Sequence, residues 1–366
     1  MLKICLIQEV LKDGDFSSGG EKVNYQILKA LGESDFQVDV FCVENKLKNK
    51  VVVNNITELA RENFVENAIL IAKKLKYDLT FATDYFPTDV VYLHQHTNAY
   101  QEKVVKNKIQ TLFNRFFCRK KYKKSLMEND LQIEITQDYK AILTPSVVLK
   151  NDLINLLHAD GQKIYILPPP VDIPKHVKFK ENKVFTFGFI GNDFVDKGGL
   201  ILLNSLGKLK KQDFRLKIYN SPKNLATFLK YYLKLLGLEK KVEFVKSPLL
   251  IDEFYDEIDC LLMPSKRESF GLFALEAMSR GKIVVLSSRC GAKDVIEPYN
   301  NGFIFDITKN PDLNLARVLR YILSNKGDFE NMRQKAVFTA SVYNYEKFKQ
   351  ELIRILQKFA QEKTED

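Results

Sequence analysis

Pro264-Ser265-Lys266-Arg267-Glu268-Ser269-Phe270-Gly271-Leu272-Phe273-Ala274-Leu275-Glu276-Ala277-Met278 follows the apolar run Cys260-Leu261-Leu262-Met263. The run reads as a short buried strand and residues 273–280 as a helix, so one loop joins a strand end to a helix start. Gly271 stands at that start, where a residue without Cβ lets the backbone come close to a ligand. The amides of the first helical turn hold an anion there, assisted by the helix dipole. Glu268 lies in the loop and Glu276 about a turn and a half into the helix, with seven residues between them. Each carboxylate accepts hydrogen bonds from a pair of vicinal hydroxyls. One could read a hexose and the other a ribose, with a diphosphate between them at the helix end. The plain alternative is a helix with a capping serine and a surface glutamate.

The same strand–loop–helix grammar runs outward in both directions. Upstream, residues 4–10 read as a strand, followed by a loop with Gly14, Gly19 and Gly20 and a helix over 21–31. Strands follow at 36–43, 90–94, 141–144 and 164–167, with helical stretches at 68–76 and 102–130. Pro168-Pro169-Pro170-Val171-Asp172-Ile173-Pro174 excludes helix and marks an extended connection. Beyond it the alternation restarts, with strands at 185–191, 215–219, 242–245, 260–263 and 283–286. Helices are expected at 200–210, up to Gly237 and over 273–280, and the tail from Leu313 is mostly helical. Such alternation predicts parallel sheets covered by helices. The expected fold is α/β, two doubly wound parallel-sheet domains facing a cleft, with ligands at the carboxyl ends of the strands. The expected domains are 1–170 and 171–342, with a helix in 343–366 packing back towards the first.

Bulk properties agree with this division. A chain of 366 residues, 45% hydrophobic and 28% charged, exceeds one core but suits two. No run of about eighteen apolar residues predicts a membrane-spanning helix. Met1-Leu2-Lys3-Ile4-Cys5-Leu6-Ile7 lacks the features of a signal peptide and reads as the first strand. Cys5, Cys42, Cys118, Cys260 and Cys290 are widely spaced, with no C-x-x-C pair, and read as free thiols of a reducing cytoplasm.

The net charge of +10, from 56 basic and 46 acidic residues, suits an anionic partner. The excess concentrates in residues 103–124, where Lys and Arg are interleaved with Phe113, Phe116, Phe117 and Tyr122 and no acid occurs. Three readings compete: a solvated helix face, nucleic-acid binding, and an interfacial segment on an anionic membrane. No nucleic-acid motif accompanies the segment. The lysine-rich, phenylalanine-studded pattern favours the membrane.

Other residues invite chemistry. Lys197, beside Gly198 in a loop after a strand, is placed to offset charge on a departing diphosphate; a solvated loop lysine is the alternative. Gly19 and Gly20 open the first helix, either as an amide nest or as a flexible turn. His94 and His96 close the strand at 90–94, where an imidazole donates to a sugar hydroxyl. His94 ends the strand more directly, and His96 remains the second choice. No third ligand supports a metal site for the pair. Asp13-Gly14-Asp15 satisfies a metal-bridging tripeptide pattern, with chance as its simpler origin.

Residues 264–277 match throughout the P-S-x-x-E-x-F-G-L-x-x-x-E-A fingerprint of the retaining glycosyltransferases of family 4, and the chain is similar to that family over roughly residues 1–350. Gly19-Gly20-Glu21-Lys22, Thr144-Pro145-Ser146, the proline linker, Gly191 to Gly198, Gly291 and Asn301-Gly302 resemble the family's elements in the family's order. Among members, the lipopolysaccharide-core glucosyltransferases look most alike. The resemblance implies a GT-B fold with an acceptor-side domain in 1–170 and a nucleotide-sugar domain in 171–342. It also implies transfer of a hexose, with retention, from a nucleoside diphosphate sugar, UDP favoured over GDP, to a hydroxyl of a glycan or glycolipid in cell-surface polysaccharide or lipopolysaccharide synthesis. Lys197, Glu268 and His94 match catalytic positions; Gly19, Gly20, Asn192, Phe270, Gly271, Leu272 and Glu276 match donor-binding ones. Asn192 stands where many members carry arginine. Neither a metal nor a resident cofactor is implied. The implied place of work is the cytoplasm, peripheral on the inner face of a membrane through 103–124. The rival readings are a GT-B sugar-nucleotide epimerase and a basic nucleic-acid-binding protein, and the latter leaves 264–277 unexplained.

Overall fold

The computed structural model describes residues 1–14, 16, 18–49, 51–95, 131–177, 179, 182–190, 193–219, 225–245, 251–327 and 329–362. Two compact units emerge. Unit 1 comprises Met1–Pro170 together with Tyr345–Asp366, and unit 2 is Val171–Asn344.

Unit 1 begins with β1 (Lys3–Ile7), β2 (Val10–Lys12) and α1 (Gly19–Gly32), then β3 (Gln37–Cys42), β4 (Glu44–Lys46) and β5 (Asn55–Glu58). α2 (Phe64–Leu75), β6 (Leu79–Ala82) and β7 (Val90–Tyr92) follow, then helical residues 131–138, β8 (Ala141–Thr144), α3 (Val147–Leu157) and β9 (Ile164–Ile166). Seven strands form one sheet in the order β5-β3-β1-β6-β7-β8-β9, every pairing parallel. β2 and β4 make a separate two-stranded parallel ribbon. Two helices start on serine caps: Ser18 Oγ accepts from the Glu21 amide at 3.2 Å, and Ser146 Oγ from the Leu149 amide at 3.1 Å.

Unit 2 contains β10 (Thr186–Ile190), α4 (Gly199–Gly207), β11 (Arg215–Tyr219), α5 (Ala226–Leu236), β12 (Val242–Val245), α6 (Ile251–Asp256), β13 (Cys260–Met263), α7 (Leu272–Ser279), β14 (Ile283–Ser287), β15 (Phe303–Phe305), α8 (Pro311–Ser324) and α9 (Glu330–Val342). Its six strands run in the order β12-β11-β10-β13-β14-β15, all parallel. β10, β13 and β14 are buried along their whole length, as strands covered on both faces must be. Gly188 in β10 lacks the Cβ that would stand 2.5 Å from Ile258 Cδ1, so the segment after α6 comes close to the sheet.

The strand orders locate the switch points. In unit 1 the chain builds outward from β1 to β5 and then returns beside β1 with β6. In unit 2 it builds from β10 to β12 and returns beside β10 with β13. The crevice at the carboxyl ends of such a strand pair is where doubly wound sheets bind ligands. The chain closes on α10 (Tyr345–Glu362), whose Phe348, Leu352, Ile355, Leu356, Phe359 and Ala360 are buried in the core of unit 1.

Candidate active site

The loops leaving β10 and β13 meet at the switch point of unit 2. Gly198, with φ +82°, forms the N-cap of α4, and a Cβ there would lie 1.9 Å from the Pro264 carbonyl oxygen. Only glycine permits this approach. The Lys266 amide donates to Asp196 O at 3.0 Å across the same seam. The seam brings the Lys197 ammonium into an ion pair with Glu268 Oε2. Two residues 71 positions apart thus share one corner of the sheet.

Glu268 is also fixed through its backbone. Its amide donates to Arg289 O at 3.2 Å, and its carbonyl accepts from the Gly291 amide at 2.9 Å. Phe270 O accepts from the Ala292 amide at 2.6 Å and from the buried Cys290 thiol at 3.2 Å. Burial, together with the nearby Glu268 charge, pushes that thiol well above its ordinary range and keeps it protonated as a donor. Gly271, at φ +94°, is packed tightly against Met263, Cys290 and Glu268, and the positive φ disfavours any side chain there. As N-cap of α7 it offers no side-chain oxygen to its helix, so the first-turn amides point at the loop without a capping group. Leu272 opens the helix.

Glu276 sits one turn along α7, partly exposed. Tyr255 Oη, fully buried, donates to its Oε2 at 3.1 Å. Burial and the neighbouring Glu276 carboxylate hold the Tyr255 phenol far above its ordinary range, so it remains a donor. Arg280 lies over the Tyr255 ring at 5.0 Å, donates to Glu276 O and pairs with Asp252. Sequence reading missed Tyr255. It stands on α6, and only the packing of α6 beside α7 reveals its task.

In unit 1, Gly20 and His94 touch. A Cβ on Gly20 would lie 2.7 Å from His94 Nε2, so the imidazole rests on the backbone that opens α1. His94 Nδ1 is buried and makes no hydrogen bond among the described residues. Burial lowers the His94 pKa to about 4, which leaves the ring neutral near neutral pH. His96, Gly191, Asn192 and the whole segment 103–124 lie outside the described residues, as do Asp15 and Cys118. Asp13 accepts from the Lys48 amide at 2.8 Å and the Asn49 amide at 2.6 Å, which gives it a structural task in holding the loop after β4. The four described cysteines are free and buried. Among the described residues no group of His, Cys, Asp and Glu is arranged to hold a metal, and no helix is long and apolar enough to cross a membrane.

Residues 172–337 match the family model described as Glycosyl transferases group 1. An uncharacterised glycosyltransferase of Methanocaldococcus jannaschii is 24% identical over 362 aligned positions, covering 88% of each chain. Among solved structures, WaaG, a glycosyltransferase involved in lipopolysaccharide biosynthesis, superposes with a TM-score of 0.70 at 18% identity over 97% of this chain and 99% of its own. Anabaena HepE in complex with UDP gives 0.71 at 16% identity over 98% of this chain and 100% of its own. The fold is GT-B and the chain is a glycosyltransferase. Residues 172–337, which hold Lys197, Glu268, Gly271 and Glu276, are the part that carries the group 1 match.

Proposed function

We propose that the chain transfers a hexose, with retention at the anomeric carbon, from a nucleoside diphosphate sugar to a hydroxyl of a glycan or glycolipid acceptor. The observation that carries this is the corner where Lys197 pairs with Glu268 beside the glycine-capped start of α7, with Glu276 one turn further on. A cation and open helix amides suit a diphosphate; carboxylates on either side suit the hydroxyls of the sugar and the ribose. Asn192 is assigned to the same donor site through its place in the glycine–lysine loop, and Phe270 and Leu272 through their places around Gly271.

In this scheme the bond from the anomeric carbon to the diphosphate oxygen breaks as the acceptor oxygen bonds to the same face of that carbon. The acceptor proton passes to an oxygen of the departing diphosphate. Lys197 and the α7 amides stabilise the charge that grows there. His94 serves as a neutral hydrogen-bond donor to a sugar hydroxyl, seated against Gly20 in the first helical turn of α1, with His96 as the second choice. UDP is favoured as the carrier, supported by the likeness to HepE, which binds UDP. A role in cell-surface polysaccharide or lipopolysaccharide synthesis is supported by the likeness to WaaG. We assign residues 103–124 to an anionic membrane surface on the cytoplasmic side, where a lipid-linked acceptor is found. The deciding experiment is a thermal-shift panel of UDP-, GDP- and ADP-sugars followed by product analysis. Stabilisation by UDP-sugars with an α-linked product from an α-linked donor supports the reading; no stabilisation by any sugar nucleotide sinks it.

A further inference from the structure

α5 is apolar on both sides, yet only one side is covered. Leu229 and Leu233 face the core of unit 2, and Leu225, Tyr232 and Leu236 flank them. On the other side Phe228 is 48% exposed, Tyr231 69% and Leu235 79%. These three residues follow i, i+3, i+7 spacing and form one stripe along the helix. Lys230 and Lys234, both exposed, form a second row beside it, and α5 contains no acid. At the far end the exposed Lys210 passes Gly237, its Cδ 3.4 Å from where a Cβ of that glycine would stand. Phe228 stacks on Tyr232 of the same helix with ring centroids 5.3 Å apart.

An exposed apolar stripe bordered by lysines is the pattern of a helix that lies at an interface. A second copy meeting this face across a twofold axis would set lysine rows against each other with no acid on the helix to answer them. An anionic bilayer answers both rows at once. Phosphates take the ammonium groups, and the apolar stripe enters the headgroup boundary while the long lysine stems reach back to its surface. We propose that the outer face of α5 is a docking surface for an anionic lipid bilayer, with the helix lying in the plane of the interface. This contact belongs to unit 2. It is independent both of residues 103–124 and of the reaction assigned above.

The protein contains no tryptophan, so Tyr231→Trp places a single indole reporter on this face. The full chain carrying it is mixed with vesicles of phosphatidylcholine, or of an equal mixture with phosphatidylglycerol, and emission is read with and without lipids brominated on their acyl chains. A melting curve equal to that of wild type establishes that the variant folds. The expected result is a blue shift and quenching by brominated lipid with the anionic vesicles alone. Adding Lys230→Glu and Lys234→Glu should abolish both. Vesicle co-sedimentation without a blue shift or quenching overturns this assignment and leaves 103–124 as the contact. A blue shift that depends on protein concentration and needs no vesicles overturns it in favour of self-association.

Discussion

Lys197 and Glu268 neutralise each other in the absence of donor, so a bound diphosphate must compete with a carboxylate for the same ammonium. Lys197→Ala is expected to cut turnover by roughly a hundredfold or more, the scale for losing one group that stabilises developing charge. Stability should change by less than about 1 kcal/mol, because the pair is partly exposed. Steady-state rates and melting curves on one preparation test both halves. Glu276→Ala should weaken nucleoside diphosphate binding by about 1.5–3 kcal/mol, read by calorimetry; unchanged affinity removes it from the ribose site. His94 carries a pH signature. Its pKa in the folded chain lies near 4 against an ordinary 6.5, so only the unfolded chain takes up this proton between those values. The contribution to stability is full above pH 6.5 and lost as pH falls towards 4, about 2 kcal/mol once partial exposure is allowed for. His94→Gln should flatten that part of the stability–pH profile relative to wild type.

At the scale of elements, α6 exists to deliver Tyr255. The glycine in β10 lets the segment after α6 approach, and the phenol then braces Glu276 from below. Tyr255→Phe should weaken binding of a nucleoside diphosphate more than that of its 2′-deoxy analogue, because a misdirected Glu276 loses its grip on the ribose hydroxyls. Equal losses for both ligands would reduce Tyr255 to a packing residue. Gly198→Ala should lower the melting temperature, since a Cβ collides with Pro264 O at a positive φ. The elements of unit 2 were the more legible. Residues 215–219, 242–245 and 260–263 read as strands at their observed bounds because the first two interleave charged with apolar residues and the third is a continuous apolar run. β4, β5, β6, β15, α3 and α6 escaped notice: Asn55–Glu58 is polar on an edge, Leu79–Ala82 is four residues long, Glu44–Lys46 and Phe303–Phe305 are three, and Ile251–Asp256 is a helix of six residues. The expected strand over residues 4–10 is β1 followed by the start of the ribbon strand β2, because the chain leaves the sheet after Ile7. That Glu268, Gly271 and Glu276 fall at one strand-to-helix corner was legible because they share one short stretch. Tyr255 and the Gly20–His94 contact were not, because they depend on which elements pack side by side.

At the scale of the whole molecule, the buried face of α10 is part of unit 1 and of no other core. Ending the chain after Asn344 should therefore uncover apolar side chains of α1, β6, β7 and β9, at about 1.5–3 kcal/mol for each large side chain removed from its packing. We expect unit 1 of that truncated chain to be cleaved early in limited proteolysis while a fragment close to Val171–Asn344 persists. Early loss of both units together would mean that unit 2 depends on unit 1 for its own stability. Unit 1 is written in two stretches with all of unit 2 between them. A ribosome makes its residues in order, at roughly 5–20 per second. The sheet that begins the chain must then wait, incomplete and with one apolar flank open, through the synthesis of a unit that is able to finish before it. The first half to be translated is the last to be closed, and a chaperone that shields α1, β6 and β7 during that interval would act on the nascent chain at its most vulnerable stage.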